Sequence, residues 1–178
     1  KAKKLRIGDG LKPDTLMGPL HTAGQRQEVE EQIEEAVKRG AKVLYGAQRP
    51  KGGDYDKGFY LQPTLLADVD PASRILQEEC FGPALPIVRV KDLDHAIEQA
   101  NNSIFGLGSS VWTRDINRAM AAAERIESGY TWINSAQIIY DELPFGGVKQ
   151  SGLGKEHGNE AIDHYTETKS VVIATETH

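Results

Sequence analysis

The sequence predicts an α/β fold, in which helices pack on the faces of a mostly parallel sheet. From Leu85 onward, strand-like and helix-like segments alternate in the order strand, helix, strand, helix, strand. Because parallel neighbours need a long crossover, helices between short apolar strands favour parallel pairing. The chain has 178 residues, of which 39% are hydrophobic, and this suffices for one domain with its own core.

A first helix is predicted to begin at Thr22, because Gln25 follows it at the spacing of a capping box. Gly40 is a natural end for this helix. Apolar residues recur at the spacing of one helical face, which consists of Val29, Ile33, Ala36 and Val37. The next segments are predicted to be a buried strand at 43–45, an exposed loop at 46–58, an extended piece at 59–62 and a helical turn at 71–79.

Strands in the second half of the chain are predicted at 85–90, 107–112 and 130–134. Asp92 and Asp115 are the predicted N-caps of the two helices between them. The inward residues of the first of these helices are Leu93, Ala96, Ile97 and Ala100. Those of the second are Ile116, Ala119, Met120, Ala123 and Ile126.

A glycine-rich segment follows these elements, with five glycines between positions 146 and 158. This density is far above the average glycine share of about 7%. It indicates backbone held at positive φ or pressed against another element, and therefore a rigid, packed loop. Residues 169–174 are predicted to form a last strand, separate from the main sheet.

The charge balance excludes several classes of partner. Lys and Arg number 21 against 26 Asp and Glu, which gives a net charge of −5 without a basic block. Nucleic acid and anionic membranes are therefore not expected as partners. No apolar run approaches the roughly 18 residues that a membrane span needs, and the charged N-terminus does not resemble a signal peptide.

Cysteine and histidine usage predicts a cytoplasmic protein without a metal site. The single cysteine, Cys80, allows no internal disulfide and fits a reducing compartment. One cysteine and five scattered histidines form no zinc-binding pattern. Cys80 is not expected to be a nucleophile, since Glu78 and Glu79 beside it would raise the pKa of its thiol.

Two glycine patterns resemble phosphate-binding loops but fail in detail. In one, Gly152, Gly154 and Gly158 are spaced one residue too widely for a dinucleotide fingerprint. In the other, which runs from 147 to 152, Leu153 stands where a phosphate loop needs lysine. Neither pattern directly follows a buried strand, so neither is interpreted as a phosphate site.

Glu79 and Phe81 have two interpretations. A carboxylate can accept two hydrogen bonds from a sugar diol, and an aromatic ring can form a flat wall beside a planar ligand. Equally, Glu78 and Glu79 can be solvated acids at the end of a helical turn. The spacing alone favours the second interpretation.

Taken together, seven segments resemble the NAD(P)-dependent aldehyde dehydrogenase family, over nearly the whole chain. Each is weak alone, but they occur in the family's order. They are Gly18-Pro19, Gln62-Pro63-Thr64, residues 78–83, Asn101-Asn102 with Gly106-Leu107, Trp132-Ile133-Asn134, residues 144–149 with 151–156, and residues 165–169.

The resemblance implies a three-layer α/β/α fold with a mostly parallel sheet. Residues 1–168 would be a partial catalytic domain, and 169–178 a strand that pairs with a neighbouring subunit in a homo-oligomer. The family oxidises small-molecule aldehydes to carboxylic acids with NAD or NADP, through a cysteine thioester. Its nucleophile, general base and nucleotide-binding domain precede the part that this chain resembles. The chain is therefore expected to be a C-terminal fragment, inactive alone and with weak or absent cofactor binding.

The resemblance also assigns roles to individual residues. Three are implied to contact the cofactor: Glu79 at the nicotinamide-side ribose, Phe81 beside the nicotinamide, and Gln25 near the adenosine side. Two would line the aldehyde tunnel, Phe145 and Ile139, and the latter stands where the family often has an aromatic residue. Glu156 matches an acid near the water path, with an auxiliary role at most, while Lys149 and the loop glycines would be structural.

Two alternatives stay open at this point. One is a non-catalytic domain that associates with itself or with full-length subunits through its last strand. The other is part of a semialdehyde dehydrogenase that forms acyl-CoA esters. The sequence does not select the aldehyde, nor NAD over NADP.

Overall fold

The structure, a computed structural model, describes residues 1–175 and divides into two compact units. The first unit is Lys1–Val90, and the second begins at Lys91. The helices of the first unit are α1 (Ala23–Lys38) and α2 (Arg74–Gln77), and its strands are β1 (Lys42–Tyr45), β2 (Thr64–Ala67) and β3 (Ala84–Ile87). The second unit contains β4 (Phe105–Gly106), β5 (Gly108–Val111), β6 (Tyr130–Ile133) and β7 (Val148–Lys149), with helices α3 (Leu93–Asn101) and α4 (Ile116–Arg125). Short 3-10 helices occupy Ala2–Lys4, Gly53–Lys57 and Asn159–His164.

In the first unit, helix α1 packs on a three-stranded sheet of order β1-β2-β3. β2 pairs antiparallel with β1 and parallel with β3, in the register Thr64↔Ala84 to Ala67↔Ile87. The core joins the helix to the central strand, and its buried members include Val29, Ile33, Ala36, Leu66 and Ile75.

The predicted boundaries of α1 are confirmed. The Thr22 side chain accepts a hydrogen bond from Gln25 N at 3.1 Å, and Gly40 adopts a φ of +107° just beyond the helix. Val29, Ile33 and Ala36 are buried as predicted, but Val37 is exposed. Each helical residue turns about 100°, so Val37 lies beside the stripe that its neighbour Ala36 completes.

The prediction of a buried strand at 43–45 is wrong in its burial. The strand forms, but Val43 and Leu44 are exposed, Leu44 by 55%. β1 lies at one edge of the sheet and has a strand neighbour on one side only. An apolar run of this length does not distinguish an edge strand from a central one.

In the second unit, β5 and β6 pair in parallel through the crossover helix α4, as the alternating pattern predicts. The predicted strand at 107–112 is interrupted at Leu107. Its continuation on the N-terminal side, β4, pairs antiparallel with β7, a two-residue strand inside the glycine-rich segment that was not predicted. The α/β class is confirmed, but the parallel pairing within residues 1–175 is confined to β2–β3 and β5–β6.

Helices α3 and α4 begin at their predicted caps, Asp92 and Asp115, whose carboxylates accept backbone hydrogen bonds. The predicted inward face of α4 is partly wrong, because Ile116 and Met120 are exposed while its buried residues are Ala119 and Ala122. Residues four apart share a face, so the two large side chains lie together away from the alanine face.

Residues 169–174 pair with no strand within the described part of the chain and are exposed. The predicted last strand is therefore not formed inside a single chain. Its pairing with a neighbouring subunit stays a prediction, and positions 176–178 of the segment 169–178 that the resemblance implies lie outside the described residues.

Candidate functional site

The predicted cofactor residues Glu79 and Phe81 lie in one turn, between α2 and β3. Both are exposed, and the Phe81 side chain is 69% exposed although it is fully apolar. An exposed aromatic ring beside an exposed carboxylate provides a flat apolar surface and a hydrogen-bond acceptor in the same turn.

Gln25, the third predicted cofactor residue, is brought to this turn from the first turn of α1. Its Nε2 donates to Phe81 O at 2.7 Å, and its Oε1 accepts from His21 N at 3.0 Å. The structure therefore joins Gln25 to Phe81 across 56 positions of sequence. Gln25 supports the backbone of the turn, a role that the resemblance did not imply.

Gln32, two turns further along α1, was missed by sequence reasoning. It is buried, and its Nε2 donates weakly to Glu79 O at 3.5 Å and to Glu78 Oε2 at 3.4 Å. Its Oε1 is buried without a hydrogen-bond partner among residues 1–175. A glutamine inside the apolar stripe of a helix was the available signal, because buried polar groups usually serve a partner.

Glu78 and Glu79, the two neighbouring acids, differ in whether their carboxylates have partners within the protein. The guanidinium of Arg74 donates to both carboxylate oxygens of Glu78, at 2.9 and 3.0 Å, and holds the pKa of Glu78 below its ordinary value. The same guanidinium contacts Glu28 on α1 at 2.6 Å. The Glu79 carboxylate makes no hydrogen bond or ion pair within the described residues, so it is available to a ligand.

Cys80, between Glu79 and Phe81, points toward the core instead. Its side chain is half-buried and packs against the core cluster of the first unit. Burial raises the pKa of its thiol, and the charge of Glu28 adds to this. The direction agrees with the prediction, but the cause is burial and Glu28 rather than Glu78 and Glu79.

The predicted substrate-side residues lie in the second unit. Phe145 and Glu156 form an antiparallel bridge, in which each backbone N–H donates to the other residue's carbonyl at 2.7 Å. The Phe145 ring lies 5.7 Å from that of Tyr130, which lies 4.7 Å from that of Trp132. The bridge and the row of three rings fix Phe145 against β6.

Ile139 is not brought to the same place by the described contacts. A cavity of about 600 Å³ is lined by Phe145 and Glu156, but Ile139 is not among its lining residues. Ile139 is exposed in the loop before Phe145, next to Ile138, whose carbonyl accepts a hydrogen bond from Trp132 Nε1 at 2.6 Å. The assignment of Ile139 to an aldehyde tunnel stays a prediction.

The glycine-rich segment is a packed loop, as its composition predicts. A Cβ on Gly129 would lie 1.8 Å from Gly146 O, and one on Gly146 would lie 2.6 Å from Gly154 O. No side chain fits at such distances, so the backbone of this loop contacts other backbone directly.

Two lysines hold the loop by donating to backbone carbonyls. Lys155 Nζ donates to Gly146 O at 2.9 Å and to Gly147 O at 3.3 Å. Lys149 Nζ donates to the carbonyls of Asn101 and Ser103, at 2.9 and 3.1 Å, and also pairs with Glu127 at 2.6 Å. These contacts support the structural role expected for Lys149, and sequence reasoning missed that of Lys155.

Other classes of site are absent from residues 1–175. None of the helices described there combines the length and the hydropathy that crossing a bilayer demands. In the same residues, no three side chains of His, Cys, Asp or Glu are grouped so that they could hold a metal ion.

Known proteins resemble this chain along almost its whole length. The profile of the aldehyde dehydrogenase family matches residues 1–171. The chain is 40% identical over 173 residues to the betaine aldehyde dehydrogenases of Brucella melitensis and Brucella ovis. The aligned part is 97% of this chain but only 36% of those enzymes. The chain therefore spans about a third of the length of these relatives.

Solved structures agree with the sequence relatives. A betaine aldehyde dehydrogenase of Staphylococcus aureus, solved in complex with NAD⁺, matches 99% of this chain with a TM-score of 0.88 and 34% identity. A second structure of that enzyme with NAD⁺ matches 92% of the chain, with a TM-score of 0.87 and 36% identity. These matches cover 37% and 32% of the solved chains. The chain belongs to the aldehyde dehydrogenase family.

Proposed function

We propose that this chain is the C-terminal part of an NAD-dependent aldehyde dehydrogenase that oxidises betaine aldehyde to the carboxylic acid. Relatives at 40% identity are betaine aldehyde dehydrogenases, and this supports the substrate. Related structures contain NAD⁺, which supports NAD over NADP. The observation that carries the proposal is the unengaged Glu79 carboxylate beside the exposed Phe81 ring, in a chain of this family.

The turn at 79–81 fits one end of a dinucleotide. The Glu79 carboxylate has free lone pairs that match a ribose diol, and the Phe81 ring offers a face to a planar, apolar group. When bound, NAD supplies the hydride acceptor of the reaction. In the proposed enzyme, Glu79 and Phe81 orient that acceptor, while the nucleophilic thiolate comes from polypeptide that precedes this chain.

The second unit fits the aldehyde. Betaine aldehyde carries a quaternary ammonium group, which is attracted to the faces of aromatic rings. Tyr130, Trp132 and Phe145 form a row of such rings, and Phe145 lines the cavity of about 600 Å³. Glu156 is exposed and lines the same cavity, which supports an auxiliary role of its carboxylate toward water.

The complete enzyme provides the test of this proposal. We expect the product of the complete reading frame to reduce NAD in the presence of betaine aldehyde. Glu79→Gln is expected to raise the KM for NAD about tenfold, because hydrogen bonds to a charged acceptor contribute about 1.5–3 kcal/mol. The KM for the aldehyde is expected to change little. Glu34→Gln, at an exposed carboxylate on α1, is the matched control.

The purified chain alone is expected to show no aldehyde oxidation, because loss of the nucleophile removes the covalent route. The measurement is NADH formation with betaine aldehyde and NAD. Activity of this chain that disappears in Cys80→Ala would contradict the proposal, since Cys80 would then be the nucleophile.

A second candidate function is self-association without catalysis. The exposed residues Val171, Val172 and Ile173 favour it, because a run of exposed apolar residues is typical of a contact surface. This candidate is compatible with the first, since a subunit of an oligomeric enzyme would use the same residues. The acyl-CoA-forming alternative has no supporting observation among the described residues.

A further inference from the structure

Two glutamines of helix α1 contact the turn that carries Glu79 and Phe81, and they do so from one face of the helix. We propose that Gln25 and Gln32 are positioning residues, which hold this turn in the conformation that receives the nicotinamide half of NAD. The inference rests on the proposed function. It assigns Gln25 to the support of the nicotinamide side, instead of direct contact with the adenosine side.

The spacing of the two glutamines places them two helical turns apart on the same face of α1. Gln25 reaches the C-terminal end of the turn, where its Nε2 donates to Phe81 O at 2.7 Å. Gln32 reaches the other end, where its Nε2 lies 3.5 Å from Glu79 O. The turn is therefore supported at both ligand-facing residues by one rigid element.

Gln25 has both ends of its amide engaged within the protein. Its Oε1 accepts from His21 N at 3.0 Å, while its Nε2 donates to the turn. This orientation ties the entry of α1 to Phe81. One N–H and one lone pair of the amide are used in these two bonds, which fix its orientation, so we expect Gln25 to act on a cofactor through the Phe81 backbone.

Gln32 adds an independent indication that the contact has a purpose. The residue is 1% exposed, and its Oε1 has no partner among the described residues. A buried amide with an unpaired oxygen costs stability relative to an apolar side chain of similar size. The Nε2 of the same amide contacts the Glu78 carboxylate and the Glu79 carbonyl. Support of the turn is therefore the function that offsets this cost in stability.

The test compares two ligands on the complete enzyme: NAD, and ADP, which lacks both the nicotinamide and the ribose that carries it. For Gln25→Glu, which keeps the acceptor for His21 N but turns a carboxylate toward Phe81 O, we expect NAD to bind about tenfold more weakly. ADP is expected to bind with an affinity within about twofold of that of the unaltered enzyme. Gln32→Leu is expected to weaken NAD binding about threefold and to leave ADP binding unchanged. Calorimetric titration measures the six affinities, those of the two variants and of the unaltered enzyme for each ligand.

Three controls separate positioning from loss of folding. Gln27→Ala removes an exposed glutamine of α1, which donates to Glu31, and is expected to leave both affinities unchanged. Gln32→Leu is expected to keep the thermal midpoint of the enzyme, because it removes the unpaired buried oxygen. Gln25→Glu combined with Phe81→Ala is expected to weaken NAD binding no more than Phe81→Ala alone. The effects of substitutions at residues that act through one another are not additive.

Three results would overturn the inference. Equal weakening of NAD and ADP binding by Gln25→Glu would show that Gln25 contacts the adenosine half. Unchanged NAD affinity in both glutamine variants would show that the turn needs neither of them. If the unaltered enzyme bound neither ligand, the proposed function would fail together with this inference, and that outcome is recognised before any variant is made.

Discussion

The environment of the Cys80 thiol disfavours its ionisation. Burial raises its pKa, so the reactive thiolate is scarcer at neutral pH than in an exposed cysteine. We expect iodoacetamide at pH 7.5 to modify the folded chain at least about tenfold more slowly than the chain in denaturing urea. Mass spectrometry over time measures both rates at this single cysteine. Equal rates would mean that the thiol is not shielded from the reagent and that its pKa is not raised.

Lys155 is expected to contribute to stability through the two carbonyls that it binds. Lys155→Met keeps the aliphatic stem but leaves Gly146 O and Gly147 O without their charged donor. The expected loss is about 1–2 kcal/mol in the free energy of unfolding, measured in urea. Lys91→Met, at an exposed lysine, is the control and is expected to leave the midpoint unchanged. A Lys155→Met protein with an unchanged midpoint would contradict this role.

At the residue scale, the sequence predicts contacts that are local and misses those that are distant. Thr22, Asp92 and Asp115 cap the helices that directly follow them, and their spacing reveals it. Gln32 and Lys155 instead contact backbone atoms of residues from another segment or loop turn. Backbone acceptors are the same for every residue type, so no sequence pattern identifies which carbonyl a side chain will find.

Helix α1 is joined to the loop after β1 by an ion pair that predicts a pH effect. Arg49 donates to both oxygens of Glu30 at 2.5 Å, and this hydrogen bonding holds the pKa of Glu30 below its ordinary value. The charged form is thus favoured by folding. The resulting stabilisation is full above the ordinary glutamate pKa and is lost as the pH falls through the lowered folded-state pKa.

Glu30→Gln is therefore expected to lower the thermal midpoint at pH 7 and to lower it less at pH 3. The measurement is the difference in midpoint between the variant and the unaltered chain at each pH. Glu34→Gln, at an exposed carboxylate 3.9 Å from Lys38, is expected to give a small difference at both. If the difference in midpoint caused by Glu30→Gln grew on acidification, the direction assigned to the Glu30 pKa shift would be wrong.

At the element scale, helix positions are predicted well and sheet positions less so. All three capped helices form where their caps and apolar spacing place them. The burial of β1 and the interruption at Leu107 depend on which strand lies alongside, and strand partners are set by tertiary packing. Likewise, α4 buries its alanine face and not the face of Ile116. Which of the two faces is buried depends on how closely a neighbouring element approaches the helix.

For the whole molecule, the exposed residues at 171–173 predict that the chain self-associates and that removal of its last segment weakens this association. Val171, Val172 and Ile173 are 71%, 93% and 81% exposed, and the resemblance places a subunit-pairing strand here. We expect residues 1–178 to form a dimer or larger species, and residues 1–168 to have a lower mass by light scattering. Val172→Glu is expected to weaken association without shortening the chain. A monomer in every case would contradict the association.

The candidate site residues could be proposed from sequence, because the family segments carry Glu79, Phe81 and Phe145 in order. What the segments do not contain is the support of those residues. The tie from Gln25 to Phe81 spans 56 positions, and the bridge between Phe145 and Glu156 depends on the loop closing on itself. Both are consequences of packing, which a linear motif does not encode.

The direct backbone contact of Gly129 with Gly146 has a consequence for mutational scanning. A library of the complete enzyme scored by activity would mark both glycines as intolerant, as strongly as groups that touch a substrate. Neither has a side chain to take part in chemistry, and any added methyl group would collide with a carbonyl. Sensitivity maps of this protein therefore need a parallel readout of folded yield before intolerant positions are assigned to turnover.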